Sequence, residues 1–132
     1  MNLNEQKERA LEFLRTLEKP DPAVFSRLVN DNFEFELMGA LPGVKTMRGK
    51  DVFVANMPKT LKAMFPNGLN LKFHTVIGEG PHVAVQAESN TVAGNGKKYA
   101  NRYHFYFLFE GDRISQVREY NDVNLVREVF FS

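Results

Sequence analysis

The sequence predicts an α+β domain in which a curved antiparallel sheet is wrapped by three N-terminal helices around one central pocket. Helical periodicity dominates the first half of the chain, and strand-like segments joined by short Gly-rich links fill the second half. The 132 residues include 12 Phe and no Trp, so large rings must fill a core or line a cavity. We therefore expect a single domain over residues 1–132.

The composition narrows the classes of function. A net charge of +1 argues against a nucleic-acid surface, which needs a clustered basic excess. The absence of Cys excludes disulfides, thiolate chemistry and Cys-based metal sites. No His pair has metal-ligand spacing and no Gly-x-Gly-x-x-Gly opens a helix, so we expect no metal and no cofactor. Without a membrane-length apolar run or a signal-peptide core, we expect a cytoplasmic protein that contacts no membrane.

The first two helices are predicted from periodicity and from their boundaries. Residues 3–18 place apolar side chains at helical spacing on one face, namely Ala10, Phe13, Leu14 and Leu17. Pro20 should end this helix. Asp21 followed by Pro22 is typical of a new helix, with an N-cap and then proline at the first helical position.

An early strand and a third helix complete the first half. Residues 30–32 read Asn-Asp-Asn, which predicts a turn, and residues 33–37 alternate apolar and acidic side chains as a strand does. Gly49 leads into the third helix, which carries an apolar stripe. Pro58 lies inside that helix, so we expect a kink or a break there.

The second half is predicted to be a run of strands, at residues 69–77, 83–93, 98–109 and 114–121. The Gly-containing links at 78–81, 94–96 and 110–112 have the length of hairpin turns, which makes the sheet antiparallel. Asp122 is a predicted N-cap for a short closing helix.

Residues 96–103 read Gly-Lys-Lys-Tyr-Ala-Asn-Arg-Tyr, residues 111–114 Gly-Asp-Arg-Ile, and residues 118–122 Arg-Glu-Tyr-Asn-Asp. This pattern resembles the SnoaL-like proteins of the nuclear-transport-factor-like, or ketosteroid-isomerase-like, superfamily. The resemblance implies a cone-shaped, cystatin-like α+β barrel and a homodimer that packs sheet against sheet. It leaves the reaction open, because the fold hosts isomerases, cyclases, epoxide hydrolases, dehydratases and non-enzymatic modules.

Glu119 is the first candidate for chemistry. Strand alternation places Glu119 and Asn121 on one face, and in the family that face points into the pocket. A carboxylate among Phe rings would have a raised pKa and would serve as a general acid or base. The alternative is a structural ion pair with Arg102 or Arg118 on the sheet surface.

His74 and Glu88 are further catalytic candidates. The strand around His74 resembles the phenazine-biosynthesis A/B proteins, which implies an acid/base pair of His74 and Glu119; the alternative is an ordinary surface histidine. Gln86 and Glu88 stand where limonene-epoxide-hydrolase-like relatives carry an Arg-x-Asp pair. Because Gln86 replaces the Arg, epoxide hydrolysis is not predicted, and a solvated outer face is the alternative for both residues.

Four residues, in addition to Gln86, are candidates for substrate binding. Asn101, Tyr103 and Asn121 would orient polar groups of the substrate, and Phe105 would exclude water. The hairpin at 111–114 has one residue more than the family pattern, which leaves the register of strand 98–109 open by one residue. A slip of one residue would exchange its two faces.

Two functions of different class remain. The first is a cofactor-independent proton-transfer enzyme, of isomerase, cyclase or dehydratase type, acting on a small and largely apolar substrate. The second is a non-catalytic module of the same fold that binds a small ligand or a protein partner. The position of Glu119 relative to a bound ligand would distinguish them.

Overall fold

A computed structural model describes residues 1–131 of the chain. The helices are α1 (Leu3–Glu18), α2 (Pro22–Leu28), α3 (Lys50–Met64) and α4 (Val123–Phe130). The strands are β1 (Val29–Leu37), β2 (Met47–Arg48), β3 (Lys72–Glu79), β4 (His82–Glu88), β5 (Thr91–Val92), β6 (Lys98–Tyr99), β7 (Arg102–Glu110) and β8 (Arg113–Asn121). The predicted α+β fold with a curved sheet is confirmed.

The main sheet has six strands in the order β2-β1-β8-β7-β4-β3, and β5 pairs separately with β6. Every neighbouring pair is antiparallel except β1 and β8, which run parallel. The hairpin links correctly predicted the antiparallel pairs, because a short link forces two consecutive strands to run in opposite directions. They carry no information about β1 and β8, which are the first and last strands in sequence.

The helix boundaries follow the predicted caps. The carboxylate of Asp21 accepts a hydrogen bond from Ala23 N at 3.0 Å, and that of Asp122 accepts one from Leu125 N at 3.3 Å. Pro58 does not break α3, which runs through it as one helix. The turn predicted at residues 30–32 lies within β1, where the pairing with β8 shifts between Val29 and Glu34. Residues 30–32 therefore form an irregular part of the strand and not a turn.

The two faces of the sheet differ sharply in burial. On β7, Tyr103, Phe105, Phe107 and Phe109 are buried, whereas the side chains between them point outward. Helices α1, α2 and α3 pack on the inner face. This resolves the register of strand 98–109, although its pairing with β8 shifts between Leu108 and Phe109. The extra hairpin residue is therefore absorbed close to the turn, and the inner face stays apolar along the strand.

A cluster of aromatic rings fills one end of the space between helices and sheet. The ring centroid of Phe13 lies 5.3 to 5.8 Å from those of four other residues: Phe25, Phe33, Phe53 and Phe107. All five are fully buried. None of them lines the cavity described below. Some Phe side chains of this Phe-rich chain therefore fill a solid core, and others form the cavity wall. No helix within residues 1–131 is long and apolar enough to cross a membrane.

Candidate functional site

A cavity of about 280 Å³ lies between the inner face of the sheet and helices α3 and α4. Its wall is mostly apolar, with side chains from helices and strands alike: Leu17, Phe35, Met57, Leu61, Phe65 and Phe105. The polar groups are few, and the charged residues in the wall are Lys45 and Glu119. Such a cavity suits a small, largely apolar ligand whose orientation is fixed by a few polar contacts.

Glu119 lies in β8, which has β1 on one side and β7 on the other. The pairing partners of Glu119 are Leu37 on β1 and Phe105 on β7. Because Phe105 and Val117 are buried on the inner face, alternation directs Glu119 inward as well, and its side chain lines the cavity. Burial raises the pKa of its carboxyl group to about 7, and the hydrogen bond from Asn121 opposes this shift. The carboxyl group therefore changes protonation near neutral pH.

The surface ion pair considered for Glu119 does not form. Arg118 points to the outer face, where its Nε lies 3.8 Å from Glu36 Oε1. Arg102 is exposed on β7 opposite Glu88. Within residues 1–131 no cation pairs with Glu119, and its hydrogen-bonding partner is the amide of Asn121. Nothing in this arrangement holds the carboxyl group in its ionised form except that single bond.

Asn121 leaves a hydrogen-bond acceptor unused beside the carboxyl group. Its Nδ2 donates to Glu119 Oε2 at 2.7 Å, and its Oδ1 is buried without a partner among residues 1–131. An unpaired buried carbonyl oxygen is costly. It can accept from a donor on a ligand, or, after a half-turn of the amide, from the proton of neutral Glu119.

Two tyrosine hydroxyls, from Tyr99 and Tyr103, form a buried network at the cavity wall. The Tyr103 hydroxyl lies 2.8 Å from Ser89 Oγ and 3.3 Å from the Tyr99 hydroxyl. Burial raises the pKa of both tyrosines, and the nearby charge of Glu119 adds to this. Both hydroxyls therefore stay protonated, and because that of Tyr103 donates to Tyr99, the proton of the Tyr99 hydroxyl remains for a ligand.

Asn101 supports this network and does not line the cavity. Its Nδ2 donates to the Tyr99 hydroxyl at 2.9 Å, and its Oδ1 accepts from the backbone N–H groups of Arg102 and Asp122. These bonds tie the start of β7 to the end of β8. Asn101 therefore stabilises the wall and does not make the direct substrate contact that the sequence predicted. The other predicted binding residues on these two strands, Tyr103, Phe105 and Asn121, do line the cavity.

His74, Gln86 and Glu88 lie outside the cavity. On β4, Gln86 and Glu88 alternate with the buried Val85 and Ala87, so they point to the outer face. His74 Nε2 lies 2.9 Å from Glu88 Oε1, with 43% of the His74 side chain exposed. The structure does not bring His74 or Glu88 to Glu119, because they lie on the opposite face of the sheet. His74 also falls at a shift in the β3–β4 register, which strand alternation alone does not reveal.

Sequence reasoning overlooked Tyr99 and Lys45 as wall residues. Tyr99 belongs to the family pattern and to the predicted strand 98–109, but in the structure that strand is broken, with β6 ending at Tyr99 and β7 beginning at Arg102. Lys45 carries the one charge in the loop of residues 38–46, which reads Met-Gly-Ala-Leu-Pro-Gly-Val-Lys-Thr. The sequence does contain a signal for Lys45, namely a single charged residue in an otherwise uncharged loop.

The sequence profile of the SnoaL-like domain matches residues 10–117, most of the chain. The chain belongs to the SnoaL-like family. Glu119 lies two residues beyond the matched segment, so its role in this SnoaL-like protein is argued from the geometry above. No curated protein matches the chain.

Solved structures share the fold of this SnoaL-like protein at low sequence identity. An NTF2-like protein of unknown function from Burkholderia pseudomallei has a TM-score of 0.85 at 13% identity, covering 100% of both chains. An LEH-like epoxide hydrolase from M. tuberculosis has a TM-score of 0.74 at 17% identity, covering 96% of this chain and 90% of that one. A protein with a ketosteroid isomerase-like fold from Catenulispora acidiphila has a TM-score of 0.75 at 14% identity, covering 92% and 91%. These similarities show the fold alone.

The described residues also contain no group of three or more His, Asp or Glu side chains that would hold a metal ion. The polar groups in the cavity wall are one carboxyl group, one amide and two phenols, with the Thr60 hydroxyl and the Lys45 ammonium group at the edge.

Proposed function

We propose that this chain is a cofactor-independent proton-transfer enzyme acting on a small, largely apolar substrate in the cavity, with Glu119 as the acid/base. The observation that supports this most strongly is the carboxyl group of Glu119 in a mostly apolar wall, paired with no cation among residues 1–131, with its pKa raised to about 7. A general base works best when its pKa lies near the working pH.

The proposed chemistry uses the neighbouring donors. Ionised Glu119 takes a proton from the carbon next to a substrate carbonyl. The carbonyl oxygen, which gains negative charge, accepts a hydrogen bond from the Tyr99 hydroxyl, and the Tyr103 hydroxyl supports Tyr99 by donating to it. Return of the proton to another carbon is an isomerisation. Attack of the carbanion on a second carbonyl, whose oxygen takes the proton from Glu119, is an aldol cyclisation. Loss of a β-hydroxyl group as water, with the proton from Glu119, is a dehydration. The apolar wall excludes water and strengthens each of these interactions.

Hydrogen–deuterium exchange tests this function before the natural substrate is known. Small cyclic ketones and enones are screened for binding, and loss of their α-proton signals in D₂O is followed by NMR. We expect the wild type to accelerate exchange of ligands that bind, and Glu119→Gln to lower the rate by about 10²–10⁴-fold.

Glu36→Gln is the matched control, because Glu36 lies on the outer face of the neighbouring strand. It should exchange like the wild type. Ligands that bind equally to the wild type and to Glu119→Gln, with no difference in exchange, would contradict catalysis. The chain would then act as a small-ligand-binding module.

A further inference from the structure

The cavity has a closed end and an open end that differ in polarity. Tyr103 and Phe105, opposite or next to Glu119 in the β7–β8 pairing, are almost fully buried and form the closed end. The wall residues that reach solvent mark the opening: Val44, Lys45, Thr60 and Phe131. Lys45 is the one charged residue among them, so a ligand that enters passes an ammonium group before it reaches the carboxyl group.

The loop that carries Lys45 is held close to Glu119 at its start. Met38 N donates to the backbone oxygen of Glu119 at 2.8 Å, where β1 ends beside β8. Gly39 packs against α4 so closely that a Cβ there would lie 2.6 Å from a methyl carbon of Val123. The loop returns at Met47, which pairs with Phe35. Both ends of the loop are thus fixed beside the cavity.

Lys45 has no partner among the residues that the structure describes. No hydrogen bond or ion pair engages it among residues 1–131, and its loop contains no acidic residue. Other cations in this structure do pair with acids, for example Arg48 with Glu34 at 2.9 Å and Arg27 with Glu12 at 2.5 Å. The ammonium group at the cavity mouth is therefore available to a ligand.

We propose that the substrate is an amphipathic monoanion whose negatively charged group stays at the mouth on Lys45 while its apolar body places the reacting carbon at Glu119. This inference rests on the proposed function and adds the class of substrate. One cation at the mouth matches one negative charge. Only the far end of the substrate can reach Glu119, since a negative charge placed beside that carboxyl group would oppose its ionisation. Lys45 is thus a specificity-determining residue.

Two fluorescent probes with the same apolar skeleton test this charge recognition. Anilinonaphthalene sulfonate carries one negative charge, and phenylnaphthylamine lacks the sulfonate. Binding is measured at pH 6 to the wild type, Lys45→Gln, Lys45→Arg and Lys62→Gln. Lys62 is exposed on α3 next to the wall residue Leu61 and does not line the cavity, so it is the matched control. Amide NMR shifts at Phe105 and Glu119 identify binding in the cavity.

We expect Lys45→Gln to weaken binding of the sulfonate by about fivefold, which is the upper value for an ion pair open to solvent. Lys45→Arg and Lys62→Gln should stay within about twofold of the wild type, and the uncharged amine should bind all four proteins equally.

The inference is overturned if Lys45→Gln leaves the sulfonate affinity unchanged, or weakens both probes alike. In that case the uncharged probe still binds in the cavity, and the proposed function stands. If neither probe shifts the amides of Phe105 and Glu119 in the wild type, the cavity does not accept apolar ligands, and both proposals fail together.

Discussion

The carboxyl group of Glu119 is held in a setting that favours its neutral form. Apolar side chains surround it, and the amide of Asn121 is its single hydrogen-bonding partner among residues 1–131. Desolvation penalises the ionised form more than this bond supports it, so the pKa rises from the ordinary 4.5 to about 7. At neutral pH both protonation states are populated, which is what a group that takes up and returns a proton needs.

Stability should depend on pH through the same group. Between about pH 4.5 and about pH 7 the unfolded chain ionises Glu119 while the folded protein keeps it protonated. Rising pH in this window therefore favours the unfolded state, and above about pH 7 the loss is complete. Relative to Glu119→Gln, the wild type should lose up to about 3 kcal/mol of unfolding free energy between pH 4 and pH 8.

Urea denaturation of both proteins at the two pH values measures this difference, and all other titrations cancel between them. A constant difference in unfolding free energy between wild type and Glu119→Gln would contradict the raised pKa. A loss of stability in the variant at pH 8 would instead indicate a structural ion pair of Glu119.

At the scale of elements, β8 is the strand that organises both the sheet and the site. It pairs with β1 on one side and β7 on the other, and it carries Glu119 and Asn121. Its parallel pairing with β1 places the end of β1, and hence the loop with Lys45, next to Glu119. The strand therefore connects the acid/base, its amide partner and the mouth of the cavity.

Truncation after Phe109 should abolish folding, because it removes β8 from the middle of the sheet and exposes the unpaired edges of β1 and β7. Circular dichroism and thermal melts check this. Removal of residues 123–132 is the control: it leaves every strand pair in place and should retain a cooperative melt. A soluble protein that ends at Phe109 and melts cooperatively would contradict the central role of β8.

The elements were predictable where the signal is local. Capping residues and hairpin links identified the helices and the antiparallel pairs, alternation placed Glu119 and Asn121 on one face, and the family resemblance directed that face into the pocket. Two features depend on contacts distant in sequence, namely the parallel pairing of β1 with β8 and the outward position of His74. The resemblance predicts His74 in the pocket, but the register shift at His74 is decided by packing across the sheet, and the side chain lies on the outer face.

At the scale of the whole molecule, the outer face of the sheet is left uncovered by the helices, which pack on the inner face. The Phe rings of β7 all point inward, so none of them contributes to the outer face. It still exposes Ile77 and Tyr120, at 57% and 41%. We propose that a second copy of the chain covers this face in a sheet-to-sheet homodimer.

Sedimentation at micromolar concentration should show a particle of about 30 kDa, twice the 15.1 kDa of one chain. Ile77→Asp should shift it towards the monomer, because it buries a charge in the proposed interface. Val52→Asp is the matched control, since Val52 is exposed on α3, away from the sheet. A wild-type particle of 15 kDa would rule out the dimer.

The whole account depends on Glu119 changing protonation near neutral pH inside the cavity, and a titration of its carboxyl carbon by ¹³C NMR measures this directly. The signal is assigned by its absence in Glu119→Gln. We predict a midpoint of about pH 7 for Glu119. A midpoint near the ordinary value of 4.5 would show a solvated carboxylate and would contradict the proposed acid/base role.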